Sequence, residues 1–243
     1  MPAPTLADLV PDLADPAAAA IAVGGITADS REAGPGMVFA GLPGSRADGA
    51  AFAAEAVKRG AVAVLVGTAS KVPDGLGVPV IRDADPRRRL ALIAAALNAP
   101  QPKTVVAVTG TAGKTSVAAF TRQIFEATGR RAASLGTLGV VTAAGTRYGS
   151  LTTPDPVTLH RALAGLAREG IDHVALEASS HGLDQRRLDG LRFAAAAFTN
   201  LGRDHMDYHP TVEDYLAAKL RLFDTLLPDG APAVLDPAEP MAD

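Results

Sequence analysis

Cysteine is absent from the 243 residues. That rules out a disulfide scaffold and any zinc site built on thiolates, and it fits a reducing compartment. Tryptophan is absent too, and aromatic residues make up only 4%, so a core must be assembled mainly from alanine, valine and leucine. Neither sign of charge dominates: 23 Lys and Arg stand against 26 Asp and Glu, a formal net charge of −3. A basic footprint for nucleic acid is therefore lacking. No Lys or Arg precedes Arg31, so the charged opening of a signal peptide is not there. No apolar run approaches the ~18 residues that a membrane helix needs. These absences leave the expectation of a soluble cytoplasmic protein with neither nucleic acid nor membrane insertion. Its composition, 48% hydrophobic and 20% charged, is that of a globular chain. The length falls where one core gives way to two domains.

The sharpest break in composition is Asn98-Ala99-Pro100-Gln101-Pro102-Lys103, read as a connector because proline biases its predecessor away from helix. Before it, Met37–Ala40, Ala61–Val66 and Val78–Arg82 are strand-length apolar runs. A helical spacing fills Asp48–Arg59, and Asp85-Pro86 opens a helix reaching Asn98. After the connector the alternation is more regular. Strands are predicted at Val105–Thr109, Ala132–Thr137, Ile171–Leu176 and Phe193–Thr199, with a hairpin over Val140–Tyr148. Helices are predicted from Lys114 to Thr128, Pro156 to Glu169, and Thr211, as N-cap, to about Leu226. These patterns imply an α/β fold, a small α/β unit before the connector and, after it, βαβ units on a mostly parallel sheet.

Thr109-Gly110-Thr111-Ala112-Gly113-Lys114-Thr115-Ser116 lies between a strand and a helix. There, backbone N–H groups and the positive helix end can cradle phosphates, Lys114 can reach the terminal phosphates, and the Thr115 hydroxyl can bind Mg²⁺. The eight-residue phosphate-loop pattern asks for glycine at position 108 and finds Val108, so only the shorter Gly-x-x-Gly-Lys-Thr is present, which a plain glycine turn would also satisfy. Glu177 ends an apolar run, at the strand end where open α/β sheets bind ligands, and Ser179-Ser180-His181-Gly182-Leu183 follows it. The next strand ends in Thr199-Asn200-Leu201-Gly202-Arg203-Asp204-His205. On chemistry alone His205 reads equally as a loop histidine without a ligand, and Lys219, apolar on both sides, reads as a lysine snorkelling from a helix face.

Together and in order, Ala28–Arg31, Phe39–Gly44 with Asp48-Gly49, Gly110–Ser116, Leu151–Asp155, Glu177–Gln185, Thr199–His209 and Tyr215–Phe223 resemble the Mur ligases. These are ATP-dependent, amide-forming enzymes of peptidoglycan precursor synthesis. Leu151-Thr152-Thr153-Pro154-Asp155 and Ser179–Leu183 are most similar to the member that adds the third peptide residue, meso-diaminopimelate or L-lysine, to a UDP-N-acetylmuramoyl dipeptide. Folylpolyglutamate synthetases share the phosphate loop, but the segments before residue 50 and Leu151–Asp155 argue against them.

The resemblance implies roles. Residues 1–98 would bind the UDP part of the substrate, with Ala28, Ser30, Ser45, Arg46 and Ala47 at the contact positions. Thr152, Thr153, Ser179, Gln185 and Arg187 would hold the muramoyl dipeptide. Residues 99–243 would bind ATP through Gly110, Thr111, Ala112, Gly113, Lys114, Thr115 and Ser116. Thr115, Glu177, His205 and Lys219 would serve Mg²⁺, Lys219 as a carbamate made with CO₂, and Lys114, Glu177, His205 and Lys219 would be catalytic. The family usually carries Asn where this chain has Ala112, which implies weakened ATP binding. The resemblance also implies a third domain that binds the amino acid, and the expectation is that these 243 residues do not include it. The expectation is thus a monomeric ligase portion with an incomplete central domain, inactive alone, for which the alternative is a binding module without turnover.

Overall fold

Two separate cores form because the connector interrupts the strand–helix alternation: helix ends at Leu97 and strand resumes at Thr104. The structure, a computed structural model, describes residues 3–13, 15–44, 48–147, 149 and 151–236. It divides into compact units at residues 1–99 and 100–243.

In the first unit the short helix α1 (Leu6–Leu9) starts at a capping box in which Thr5 and Asp8 satisfy each other's backbone N–H. Strands β1 (Gly25–Thr27) and β2 (Met37–Gly41), helix α2 (Ala53–Lys58), strands β3 (Ala63–Gly67) and β4 (Val80–Asp83) and helix α3 (Pro86–Leu97) follow. The sheet runs β1-β2-β3-β4, all parallel. Every residue of β3 is buried, as a strand covered on both faces requires. Helix α3 begins where expected because the Asp85 carboxylate accepts the Arg88 N–H at 3.0 Å and Pro86 takes the first helical position. Strand β3 starts two residues later than the apolar run, since the Ala61 N–H is already given to the Ala56 carbonyl at the end of α2. Strand β1 has three residues, too few to show a period.

The second unit contains β5 (Thr104–Thr109), α4 (Lys114–Ala127), β6 (Ala132–Gly136), β7 (Gly139–Thr142), β8 (Gly145–Arg147), α5 (Pro156–Arg168), β9 (His173–Glu177), α6 (Ser180–Asp184), β10 (Phe193–Phe198), α7 (Val212–Arg221) and β11 (Ala233–Val234). Helix α7 runs on as a π-helical turn over Leu222–Leu226. The sheet order is β11-β10-β5-β9-β6-β7-β8. The first five strands are parallel, while β7 and β8 form the expected antiparallel hairpin. Helix α5 turns Leu159, Leu163 and Leu166 toward Val174, Leu176, Leu183 and Leu188 in the main core. Fully burying a leucine contributes about 1.5–3 kcal/mol. Strand β5 has β9 on one side and β10 on the other. Consecutive crossovers therefore leave in opposite directions, and a crevice opens at the carboxyl ends of these three strands.

Candidate active site

The loop after β5 is shaped by glycines. Gly110 has φ +135°, and a side chain there would run into the Thr199 hydroxyl. Gly113, at φ +85°, is the N-cap of α4. The first helical bond is from the Val117 N–H to the Gly113 carbonyl at 3.0 Å, leaving the N–H groups of Lys114, Thr115 and Ser116 without a helical acceptor, the usual basis of an anion site. Val108, the departure from the eight-residue pattern, is a buried strand residue whose carbonyl accepts the Ala178 N–H at 2.8 Å, so the turn begins one residue later.

Glu177 closes β9 and is 2% exposed. Its carboxylate accepts the Thr115 hydroxyl at 2.9 Å, the Thr137 N–H at 2.9 Å and the Thr137 hydroxyl at 3.3 Å. Gly136 makes this approach possible, because a side chain at 136 would overlap the carboxylate. The Thr137 hydroxyl also meets the Thr152 hydroxyl at 3.0 Å.

Two lysines converge from different elements. Lys114 donates to the carbonyls of Gly110 and Thr111 at 2.8 and 2.7 Å, and Lys219 of α7 donates to the same Gly110 carbonyl at 2.7 Å. Lys219 is 1% exposed, with its ammonium 4.1 Å from the centre of the Tyr215 ring. Burial, and then the Lys114 charge, push Lys219 down to about 7, while Asp204 opposes the shift. Burial also lowers Lys114, against the pull of Glu177 and Asp204. Lys219 is thus not a snorkelling lysine: its amine is in the interior, aimed at the phosphate loop.

Lys114, Thr115, Glu177, His205 and Lys219 line one cavity of about 170 Å³ together with Thr111, Gly113, Thr152 and Ser179. Its remaining wall, Thr137, Ser180 and Tyr215, was given no role by sequence reasoning. Thr137 carried a usable signal, as the residue just past the carboxyl end of a strand. The cavity suits phosphate groups and a cation, not a whole nucleotide. Gly110 is buried below it, and Ala112 and Ser116 are exposed outside its wall. His205 is exposed on a turn with φ +56°, and its ring stands edge-on to His181 with centroids 4.8 Å apart.

The other expected contacts are spread further. Thr153 is buried, and its hydroxyl donates to the Glu177 carbonyl at 2.9 Å and accepts the N–H and hydroxyl of Ser179, both at 3.0 Å. Arg187 holds the Thr153 carbonyl at 2.6 Å and the Gln185 side chain at 2.7 Å. Gln185 in turn donates to the Tyr208 hydroxyl at 3.2 Å. In the first unit Ala28 is exposed, while Ser30 is buried and donates to Glu55 at 3.3 Å. Ser45, Arg46 and Ala47 lie outside the described residues.

Among the described residues no three His, Asp or Glu side chains are grouped as a ready metal cage. The donor set nevertheless fits Mg²⁺. Magnesium prefers oxygen ligands, and Thr115 and Glu177 bring a hydroxyl and a carboxylate oxygen together in this cavity.

Residues 108–242 match the Mur ligase middle domain, and residues 22–98 match the description "Mur ligase family, catalytic domain". The UDP-N-acetylmuramoyl-L-alanyl-D-glutamate–2,6-diaminopimelate ligase of Rhizobium meliloti (strain 1021) is 63% identical over 90% of this chain and 44% of its own length. The ligase of the same name from Caulobacter vibrioides is 54% identical over 88% of this chain and 45% of its own. The chain thus spans less than half the length of the curated relatives it matches. A solved structure of a ligase bearing that name superposes with a TM-score of 0.78 at 30% identity, covering 92% of this chain and 45% of the other. The MurF ligase from Thermotoga maritima, at 22% identity and a TM-score of 0.58 over 88% of this chain and 46% of its own, shares the fold. Because the middle-domain match alone takes in more than half of the 243 residues, the chain belongs to the Mur ligase family.

Proposed function

We propose that this chain is the substrate- and nucleotide-binding part of a cytoplasmic, monomeric ligase. The enzyme adds the third residue to UDP-N-acetylmuramoyl-L-alanyl-D-glutamate at the expense of ATP. Residues 1–98 take the UDP part through Ala28, Ser30 and Ser45–Ala47, and residues 99–243 take ATP at Gly110–Ser116. Thr152, Thr153, Ser179, Gln185 and Arg187 serve the dipeptide end. The relatives named for 2,6-diaminopimelate at 54–63% identity favour that diamino acid over lysine.

The observation that carries the reading is the convergence of Lys114, Thr115, Glu177 and Lys219 on one cavity at the strand ends. An amine cannot displace oxide from a carboxylate, so the substrate carboxylate must first take the γ-phosphoryl group, forming an acyl phosphate and ADP. The amine then displaces phosphate. Lys114 and the first N–H groups of α4 neutralise charge on the transferring group. Thr115, Glu177 and His205 would hold Mg²⁺, which supplies further charge neutralisation when bound.

Lys219 completes the set as a carbamate. A buried amine brought down to about 7 is substantially neutral at physiological pH, so its lone pair can attack CO₂ and release one proton. The product replaces an amine whose charged form Lys114 disfavours by an anion that attracts Lys114, and its oxygens would add to the ligands for magnesium. Calorimetric titration of this chain with ADP and Mg²⁺ tests the reading. Binding is expected for the unaltered chain and loss of at least tenfold in affinity for Lys114→Ala. Equal affinity in the two, or no binding in either, refutes it.

A further inference from the structure

We infer that Asn200 is a positioning residue for the phosphate loop, setting through the main chain of Ala112 which N–H groups are left to meet a nucleotide phosphate. The inference rests on the nucleotide-binding reading above.

Asn200 follows β10, and its carboxamide grips Ala112 at two points. The side-chain oxygen accepts the Ala112 N–H at 2.9 Å, and the side-chain nitrogen donates to the Ala112 carbonyl at 3.3 Å. The Thr199 hydroxyl donates to that same carbonyl at 2.6 Å. One step back, the Thr111 N–H is given to the Asn200 carbonyl at 2.8 Å, and the Thr199 N–H to the Thr109 carbonyl at 3.0 Å. One step on, the Gly202 N–H is given to the Thr111 hydroxyl at 2.8 Å. The pairing of β10 with β5 thus continues past the strand ends into the loop, with the Asn200 side chain acting as the next peptide group.

This arrangement divides the loop's donors. The N–H groups of Thr111 and Ala112 are bonded to Asn200, whereas those of Lys114, Thr115 and Ser116 begin α4 without a helical acceptor. An anion would therefore be met at the helix end, beside Lys114, and not along the rising limb of the loop. The grip uses main-chain atoms of residue 112 only, and the Ala112 methyl group is exposed, so a different small side chain at 112 leaves the clamp intact.

Two measurements on the full 243-residue chain decide it: amide hydrogen exchange at Ala112, and calorimetric affinity for ADP with Mg²⁺. Asn200→Ala is expected to speed Ala112 exchange at least tenfold and to weaken ADP about tenfold, equivalent to about 1.4 kcal/mol. Asn200→Asp keeps the acceptor for the Ala112 N–H, so the amide should stay protected. Faster exchange in Asn200→Ala with unchanged ADP affinity overturns the positioning role. Weaker ADP with unchanged exchange also overturns it, because Asn200 would then touch the nucleotide itself. An unaltered chain that binds no ADP refutes the nucleotide reading and the positioning role with it, while the exchange measurement still reports whether the clamp exists.

Discussion

Replacing Lys219 by methionine should stabilise the second unit at neutral pH, by an amount that shrinks as pH rises. Lys219 is 1% exposed and has been brought from the ordinary 10.5 down to about 7, first by burial and then by Lys114. On unfolding it regains its ordinary affinity for a proton. Between these two values the unfolded chain holds a proton that the folded chain lacks, so stability rises with pH by about 1.4 kcal/mol per unit. Over the whole window the contribution approaches about 5 kcal/mol, a large share of the ~5–15 kcal/mol typical of a domain. Below pH 7 the group is protonated in both states and its cost is present in full. Methionine keeps the unbranched stem without the charge. It gives up one donor to the Gly110 carbonyl, but Lys114 still serves that carbonyl at 2.8 Å. All three tyrosines, 148, 208 and 215, lie beyond residue 99, so tyrosine fluorescence follows this unit alone. Denaturant unfolding in CO₂-free buffer should find the variant more stable by a few kcal/mol at pH 7, converging on the parent by about 1.4 kcal/mol per pH unit up to pH 9. A difference that does not change with pH, or a parent more stable at pH 7, refutes the buried-amine account. Adding ¹³C-bicarbonate should then give a carbamate resonance in the parent only.

The two adjacent threonines should behave oppositely. Thr153→Val strands the Ser179 N–H and the Glu177 carbonyl that its hydroxyl now serves and should cost about 2–3 kcal/mol; Thr152→Val, in the cavity wall, should cost under about 0.5 kcal/mol. Denaturant midpoints in the reverse order would contradict the assignment. Asp189→Asn leaves the Arg221 guanidinium, now paired at 2.7 Å with both side chains buried, without its counter-charge, and a drop of about 3 kcal/mol or more in unfolding free energy is expected. Gly136→Ala puts a methyl group where the Glu177 carboxylate sits. It should abolish the gain in ADP affinity that Mg²⁺ provides while sparing affinity without it, and an unchanged Mg²⁺ response would count against Glu177 as the cation ligand.

The residues legible in the sequence are those whose chemistry stands at a strand end. Lys114 and Thr115 open a helix after a short glycine loop that ends an apolar run, and Glu177 closes another run, so local pattern is enough to single them out. The α/β class with a mostly parallel sheet was readable for the same reason, because β5, β6, β9 and β10 are separated by helices or tight turns with clear stop signals. Strand β11, with two residues, and β1 are too short to leave a pattern. What local reading cannot reach is the side chain whose partner is remote. Lys219 looks like a surface lysine until Gly110, 109 residues earlier, is placed against it. Asn200 and Ala112 are 88 positions apart, Thr137 and Glu177 40. Thr152 and Thr153 are chemically alike, and only the loop's path makes one a cavity residue and the other a buried peg between Glu177 and Ser179. The Asn200–Ala112 contact follows from the placing of β10 beside β5, and the Thr137–Glu177 contact from the placing of β6 beside β9, the strand on the other side of β5. Three strand ends so arranged bring a carboxylate, the Gly110–Ser116 loop and a polar turn to one crevice, where Thr115 and Thr137 bond the Glu177 carboxylate and the Tyr215 ring lies against the Lys219 ammonium.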